Sequence, residues 1–426
     1  MNKNFLALGL AAALLAPQVA GAEGFAINEW SAEGVAMGGA RMFAEDDAAN
    51  VAYNPASITK VKGEVMKSSY TYLSPHGSYK LYDSNNDEIK GEPTHNKVHA
   101  GWAVGSYYVR QINDKEWFGI GAFPRFAMVS EFERESNAST NAFFSKLNGV
   151  SVTPTYAHKF DKKWSAAVGA EINYVGLELQ KNLVIPTAGV NGTTQIEGES
   201  YALGWNAAAN YAFDDKNEIG VVYRSRIKHS LEADLKGYGT KSPASPLVGS
   251  NDVFGNAYGV VTLPDSWDIG YNHKFDKKTR LELKATRTNW STYDALNVYF
   301  DKSLVGIPGI AESSPSAKNW SNGWRYAIGL EHNFSDKYAA MAGFAFDESS
   351  IPHDGGDFMV PTGLRRTYSI GARYNDKKQT VAVALGWMDV GTLDFAGHPE
   401  KGDAYSSAHA YDSFTKIASI SYQRKF

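Results

Sequence analysis

The chain of 426 residues contains no cysteine. That removes disulfide staples, thiolate metal ligands and a thiol nucleophile together. Beyond residue 22 it also lacks any apolar run of the roughly 20 residues that a membrane-spanning helix needs, and its mean hydropathy is −0.35. Charge of one sign is missing as well. Lys and Arg number 42 against 46 Asp and Glu, a net charge of −4, which leaves no electrostatic footprint for nucleic acid. There is no His-Glu-x-x-His zinc pattern, no Gly-x-Ser-x-Gly elbow and no phosphate-binding glycine loop. The ten histidines are scattered. Polar coincidences such as Asp265-Ser266 on one strand and His332 on another read as residues of a wet lumen. The expectation is a protein that is not an enzyme and uses neither cofactor nor metal.

What is present begins with an export signal. Lys3 supplies a positive start, Phe5 to Ala16 an apolar core, and Ala20-Gly21-Ala22 a small-residue cleavage site. Cleavage makes Glu23 the first mature residue. Aromatics are abundant, at 13% with 24 Tyr and 10 Trp. Such rings settle at the two interfaces of a membrane barrel, whose polar lumen also accounts for the low hydropathy.

One short pattern recurs: Asn113-Asp114-Lys115-Glu116-Trp117, Phe160-Asp161-Lys162-Lys163-Trp164 and Phe213-Asp214-Asp215-Lys216. It returns as Phe275-Asp276-Lys277-Lys278, Phe334-Ser335-Asp336-Lys337-Tyr338 and Asn375-Asp376-Lys377-Lys378. Asp and Asn here favour tight turns by bonding their own backbone. The segments between them alternate. Tyr201, Leu203, Trp205, Ala207 and Ala209 share one face, and Gly204, Asn206, Ala208 and Asn210 the other. Period two over such lengths is the strand signature, with large apolar residues toward lipid and small or polar ones toward water. Six periplasmic turns joining strands whose ends both lie on the periplasmic side imply seven hairpins, hence a 14-stranded antiparallel barrel. The last strand is expected over Phe414 to Phe426 and the external loops over 75–96, 236–256, 302–322, 349–366 and 391–412.

Residues 23–63 show neither period, and such a segment cannot build its own core. It is expected to fold against the barrel wall as a hatch, with Asp46, Asp47, Asn50 and Asn54 bonding lumen groups. Arg325 and Arg373 are the candidate partners, because buried carboxylates need paired donors. Two prolines fall within strands, Pro124 in the third and Pro154 in the fourth. Proline cannot donate to the ladder, so a local break in the wall, or a pair of ordinary bulges, is expected there.

The block Asp46-Asp47-Ala48-Ala49-Asn50-Val51-Ala52-Tyr53-Asn54-Pro55-Ala56, behind Asn28-Glu29-Trp30 and Gly38-Gly39-Ala40, resembles the FadL family of outer-membrane transporters for long-chain fatty acids and other hydrophobic compounds. The resemblance implies a signal peptide over 1–22, a hatch over 23–63 that moves to open a path, and a transmembrane barrel over 64–426. It implies localisation in the outer membrane of a Gram-negative bacterium, contact with the bilayer, and a fatty-acid or hydrocarbon ligand; a monomer is expected. It further implies a lateral gate at a kinked third strand, here Phe123-Pro124-Arg125 with Pro154 beside it, where the family usually carries small residues. Lys181, expected just after a fifth strand over Ala166 to Leu179, falls near a family position that contacts a ligand carboxylate; the plain alternative is an exposed loop lysine. A general porin for polar solutes and a non-transporting adhesin are the rival functions, and the hatch argues against the first.

Overall fold

The computed structural model describes residues 24–90, 94–98, 100–185, 190–239, 253–301, 313–391, 393–399 and 403–426. The expected export signal lies outside them. Fourteen antiparallel strands form one closed sheet. The first seven are β1 (Glu64–Tyr82), β2 (Gly101–Gln111), β3 (Glu116–Glu131), β4 (Phe144–Lys159), β5 (Trp164–Ile185), β6 (Val190–Ala212) and β7 (Asn217–Arg224, resuming as Ile227–Gly239). The others are β8 (Val253–Leu263, resuming as Ser266–Lys274), β9 (Thr279–Thr288, then Ala295–Phe300), β10 (Ser313–Ala317, then Gly323–Asn333), β11 (Tyr338–Asp347), β12 (Arg365–Asn375), β13 (Gln379–Val390) and β14 (Ser407–Lys425). β1 pairs with β14 from Val65↔Lys425 to Tyr82↔Ser407, which closes the barrel and leaves no free edge there.

The alternation read from the sequence is the wall itself. On β6, Tyr201, Leu203 and Trp205 are 71%, 77% and 52% exposed, whereas Asn206 and Asn210 are buried toward the lumen. All six repeated turns are hairpin turns at one end of the barrel. In the second, Asp161 accepts from the backbone N–H groups of Lys163 and Trp164 at 2.7 and 2.8 Å. These donors, Trp164 first, hold its carboxyl below the usual range. Exposed rings beside the turns, among them Phe160, Trp164, Phe213, Phe275, Phe334 and Tyr338, form a girdle at that end.

Several boundaries differ from expectation. β1 runs through residues 75–82, and residues 236–239, 253–256 and 407–412 are also strand. The barrel therefore stands taller on its outer side than the polar composition of those segments suggested. β5 extends over Trp164–Ile185, which puts Lys181 inside a strand, not after it.

The N-terminal segment from residue 24 to 63 fills the lumen. It holds two short helices, α1 (Ala32–Ala36) and α2 (Asn50–Tyr53), followed by a 3-10 turn over Pro55–Lys60. Ser31 caps α1 by accepting from Gly34 N at 3.1 Å. Ala32, Val35, Ala36 and Met37 pack on the wall rather than on a core of their own. Glycines on adjoining strands admit this approach. A Cβ on Gly343 would come within 2.2 Å of Gly38 N and the Met37 carbonyl carbon.

Candidate functional site

The segment is tied to the barrel floor by buried charge. Asp47 lies 3.1 Å from Arg41 and 2.9 Å from Lys67 of β1, and Lys67 also reaches Glu33 at 2.7 Å. Burial opposes ionisation of Asp47, but Lys67 and Arg41 outweigh it and hold its carboxyl well below the usual range. Arg41 continues to Glu331 of β10 at 3.0 Å, where Arg280 and Arg373 converge at 2.7 and 2.5 Å. Met42 N donates to Glu282 at 2.6 Å. Asp46, with φ of 54°, pairs with Lys425 of β14.

This corrects the expected pairing of hatch carboxylates with Arg325 and Arg373. Arg325 binds Asp347 at 2.7 Å and donates to the Gly38 carbonyl at 2.8 Å. Among the described residues Arg373 meets Glu331 and Asn333, one step from the segment. The carboxylates chose Lys67 and Lys425 instead, because those lysines lie on the strands nearest the Asp46-Asp47 turn. Sequence reasoning missed Lys67, Arg41 and Glu331. A lumen-facing Lys within the small and polar face of β1 was the available signal.

The Asn-Pro-Ala tripeptide is a docking element. Asn54 caps the 3-10 turn by accepting from Ala56 N at 3.1 Å, Pro55 opens it, and Asn54 Nδ2 reaches Asn210 of β6 at 2.7 Å. The Ala56 carbonyl accepts from Ser165 of β5 at 3.3 Å. Asn50 Nδ2 bonds the carbonyls of Ala44 and Ser57, so it braces the segment internally.

The wall is interrupted beside β3. β2 and β3 pair only from Ser106↔Ala122 to Gln111↔Trp117; among the described residues, Gly101 to Gly105 have no partner on β3. β3 carries a bulge between Pro124 and Phe126 against β4. Proline removes a donor here, and Phe123, Arg125 and Phe126 are all buried. Pro154 sits in register opposite Ile120 of β3, but on its other side the β4–β5 pairing skips Thr153 and Pro154, between Val152↔Ile172 and Thr155↔Gly169, without a change of register. The opening thus lies between β2 and β3, not between strands three and four, which remain paired along their length.

The N-terminal segment covers this opening. Ala26 bridges to Phe126, Ile27 N donates to the Arg125 carbonyl at 2.8 Å, and Ala127 N donates to the Phe25 carbonyl at 2.9 Å. Trp30 Nε1 bonds the Pro124 carbonyl at 2.6 Å, and the Trp30 carbonyl accepts from Tyr107 of β2 at 2.9 Å. Backbone groups that a continuous ladder would satisfy are satisfied by the N-terminal segment instead.

Above it lies an apolar cluster of buried side chains, packed ring against ring around Phe25. The Phe25 ring meets Phe126, Trp290, Tyr293 and Trp320 with centroids 4.7 to 6.0 Å apart. Leu147, Val175, Ile227, Leu231 and Val261 line the same cluster. Cations adjoin it, and Arg365 donates to the Gly24 carbonyl at 3.2 Å. Lys318 is buried and paired with Asp357. Lys181, half-buried on the same face as Leu177 and Leu179, has no ion pair among the described residues. Asp265 and His332 are not brought together: Asp265 pairs with Arg226, and His332 with Thr279 near the turns. Among the described residues no group of three metal-ligating side chains forms.

A closed outer-membrane barrel whose lumen is occupied by its own N-terminal segment, with one interrupted seam, is the class of protein these features define. A family profile described as outer membrane protein transport protein (OMPP1/FadL/TodX) matches residues 13–423. The chain belongs to that family. It is 24% identical over 443 residues to a long-chain fatty acid transport protein of Escherichia coli O6:H1, covering 95% of this chain and 94% of the relative. Its fold matches the crystal structure of a Pseudomonas aeruginosa FadL homologue, with TM-score 0.83, 18% identity and coverage of 95% and 100%. It matches the Pseudomonas putida toluene transporter TodX with TM-score 0.72, 16% identity and coverage of 95% and 100%.

Proposed function

We propose that this barrel takes up hydrophobic molecules by passive diffusion, with residues 23–63 as a movable hatch and a lateral exit between β2 and β3. The observation that carries the reading is the upper part of that seam, unpaired between β2 and β3 and covered by Phe25–Ile27 and Trp30, with Lys97 N reaching the Glu131 carbonyl at its outer end. A ligand that takes the place of Phe25 in the aromatic cluster turns that cluster into a chamber and also releases the strand Phe25 belongs to. The chamber then opens toward the lipid rather than toward the charged floor, which an apolar solute does not cross cheaply. Phe123, Pro124 and Arg125 frame the exit; Pro154 belongs to the neighbouring ladder and has no part in it.

The relatives named for fatty acid and for toluene leave two ligand classes, and the cations bear on the choice. Asp357 neutralises Lys318 and Arg365 is engaged by the Gly24 carbonyl and Thr362, so Lys181 is the cation we assign to receive a carboxylate. A porin for polar solutes needs an open constriction, whereas here the floor is packed and ion-paired. The chain acts as a transporter without catalysis, and the closed sheet supports a monomer. Liposome uptake of oleate, toluene and glucose side by side tests the proposal. Uptake of glucose alone would overturn it, and Lys181→Met should lower oleate uptake while sparing toluene.

A further inference from the structure

One polar arc borders the apolar cluster, and its last atom has no hydrogen-bond partner among the described residues. Glu171 of β5 accepts from Arg125 Nη1 at 2.8 Å and from Ser151 Oγ at 2.6 Å. A carboxylate paired with Arg only accepts, so the Ser151 proton points at Glu171 and the Ser151 oxygen is left to accept. The Asn173 atom 2.8 Å from it is therefore the amide nitrogen, which fixes the amide orientation. Asn173 Oδ1 then faces His229 Nε2 at 2.9 Å, and that nitrogen must carry the proton.

His229 lies on the lumen face of β7 with a relative exposure of 0%, between Ile227 and Leu231 and opposite Val261, all three part of the chamber. Its Nδ1 is buried without a hydrogen-bond partner among the described residues. In a neutral ring that donates through Nε2, Nδ1 is a lone-pair acceptor. Buried acceptors are ordinarily satisfied, and one left open in the wall of a ligand chamber is a recognition group in waiting. Hydrocarbons offer it nothing, and an ionised carboxylate repels its lone pair. A hydroxyl satisfies it.

We infer that His229 is a specificity residue that favours hydroxylated hydrophobic ligands, phenols or alkanols, over hydrocarbons of the same shape. The inference rests on the chamber being the ligand path. Asn173, Ser151 and Glu171 are positioning residues, since they fix the tautomer by touching one another and not the ligand. Arg125 anchors the far end of the arc at the wall bulge, so head-group recognition and exit lie on one network.

The test uses the full mature chain in detergent, with toluene, p-cresol and p-methylanisole as probes and titration calorimetry as readout. His229→Leu should weaken p-cresol about tenfold, the value of one buried hydrogen bond, and leave toluene within about twofold. His229→Gln keeps the pattern, because its amide nitrogen can donate to Asn173 and its oxygen can accept. In the unaltered chain, p-methylanisole, which has the oxygen but no proton to donate, should bind about tenfold more weakly than p-cresol. That comparison needs no variant to fold. Equal affinity for p-cresol and its ether, or equal losses of toluene and p-cresol in His229→Leu, overturns the inference alone. Failure of the unaltered chain to bind any of the three overturns the chamber as a ligand path, and the inference with it.

Discussion

At the scale of single residues, the lumen floor is an ion network in which each charge depends on its neighbours. Asp47→Asn leaves Arg41 and Lys67 buried with too few partners, and breaking such a pair costs about 3–5 kcal/mol. The N-terminal segment should then leave its seat part of the time, seen as fluctuating ion conductance in planar bilayers over a quiet unaltered baseline. Gly343→Val should do the same without touching charge, since its side chain collides with the Met37–Gly38 backbone. The pH dependence follows from direction. Asp47 has a depressed folded value, so its stabilisation is present above the unfolded carboxylate range and is lost only as pH falls through that low value. Glu29, raised chiefly by burial, favours the seated segment more as pH falls through its raised value. Conductance at pH 5 should therefore be no higher than at pH 7, and an opening at pH 5 would contradict both signs.

The residue scale is also where the sequence was least legible. Asp46, Asp47, Asn50 and Asn54 were recognisable as polar groups that a lumen must satisfy. Their partners were not, because every lumen-facing Lys and Arg looks alike until strand register fixes distance. Lys67 and Arg325 are equally basic in the sequence, and only folding shows that Lys67 lies against the Asp47 turn while Arg325 holds a carbonyl. Phe25 gave no signal, since one apolar residue near a chain start has no periodicity to place it.

At the scale of elements, β3 and β4 separate the two prolines. Pro124 stands at a bulge on the edge that β2 leaves unpaired, and Pro154 stands in register with β3 at a two-residue gap in the β4–β5 ladder. Pro124→Val should slow transfer of hydrophobic ligand into the membrane, and Pro154→Val should leave it unchanged within about twofold, because it only returns a donor to a seam already in register. Equal slowing by both would place the exit between β3 and β4. The turns were legible because Asp and Asn side chains bond the backbone locally, as Asp161 does, and alternation is a local property. The interruptions at Ser225-Arg226 and Pro264-Asp265, and the outward reach of β1 and β14, were not. They follow from barrel curvature and from pairing with distant strands.

At the scale of the whole molecule, closure through β1 and β14 makes the wall independent of what fills it. Deleting residues 23–60 should leave a heat-modifiable barrel that passes small polar solutes, while tags at Lys162, Lys277 and Lys377 react only from the periplasm. The central claim is that the strand Phe25–Ile27 must leave the β3 edge for a hydrophobic ligand to exit. The chain has no cysteine, so a single disulfide can test it without interference. Ala26 and Phe126 form the bridge pair, flanked by the bonds of Phe25 and Ile27, so Ala26→Cys with Phe126→Cys staples the strand in place. Uptake of toluene and oleate into liposomes carrying this variant should stop when it is oxidised and return on reduction. Uptake at the reduced rate while the staple is intact would contradict the account.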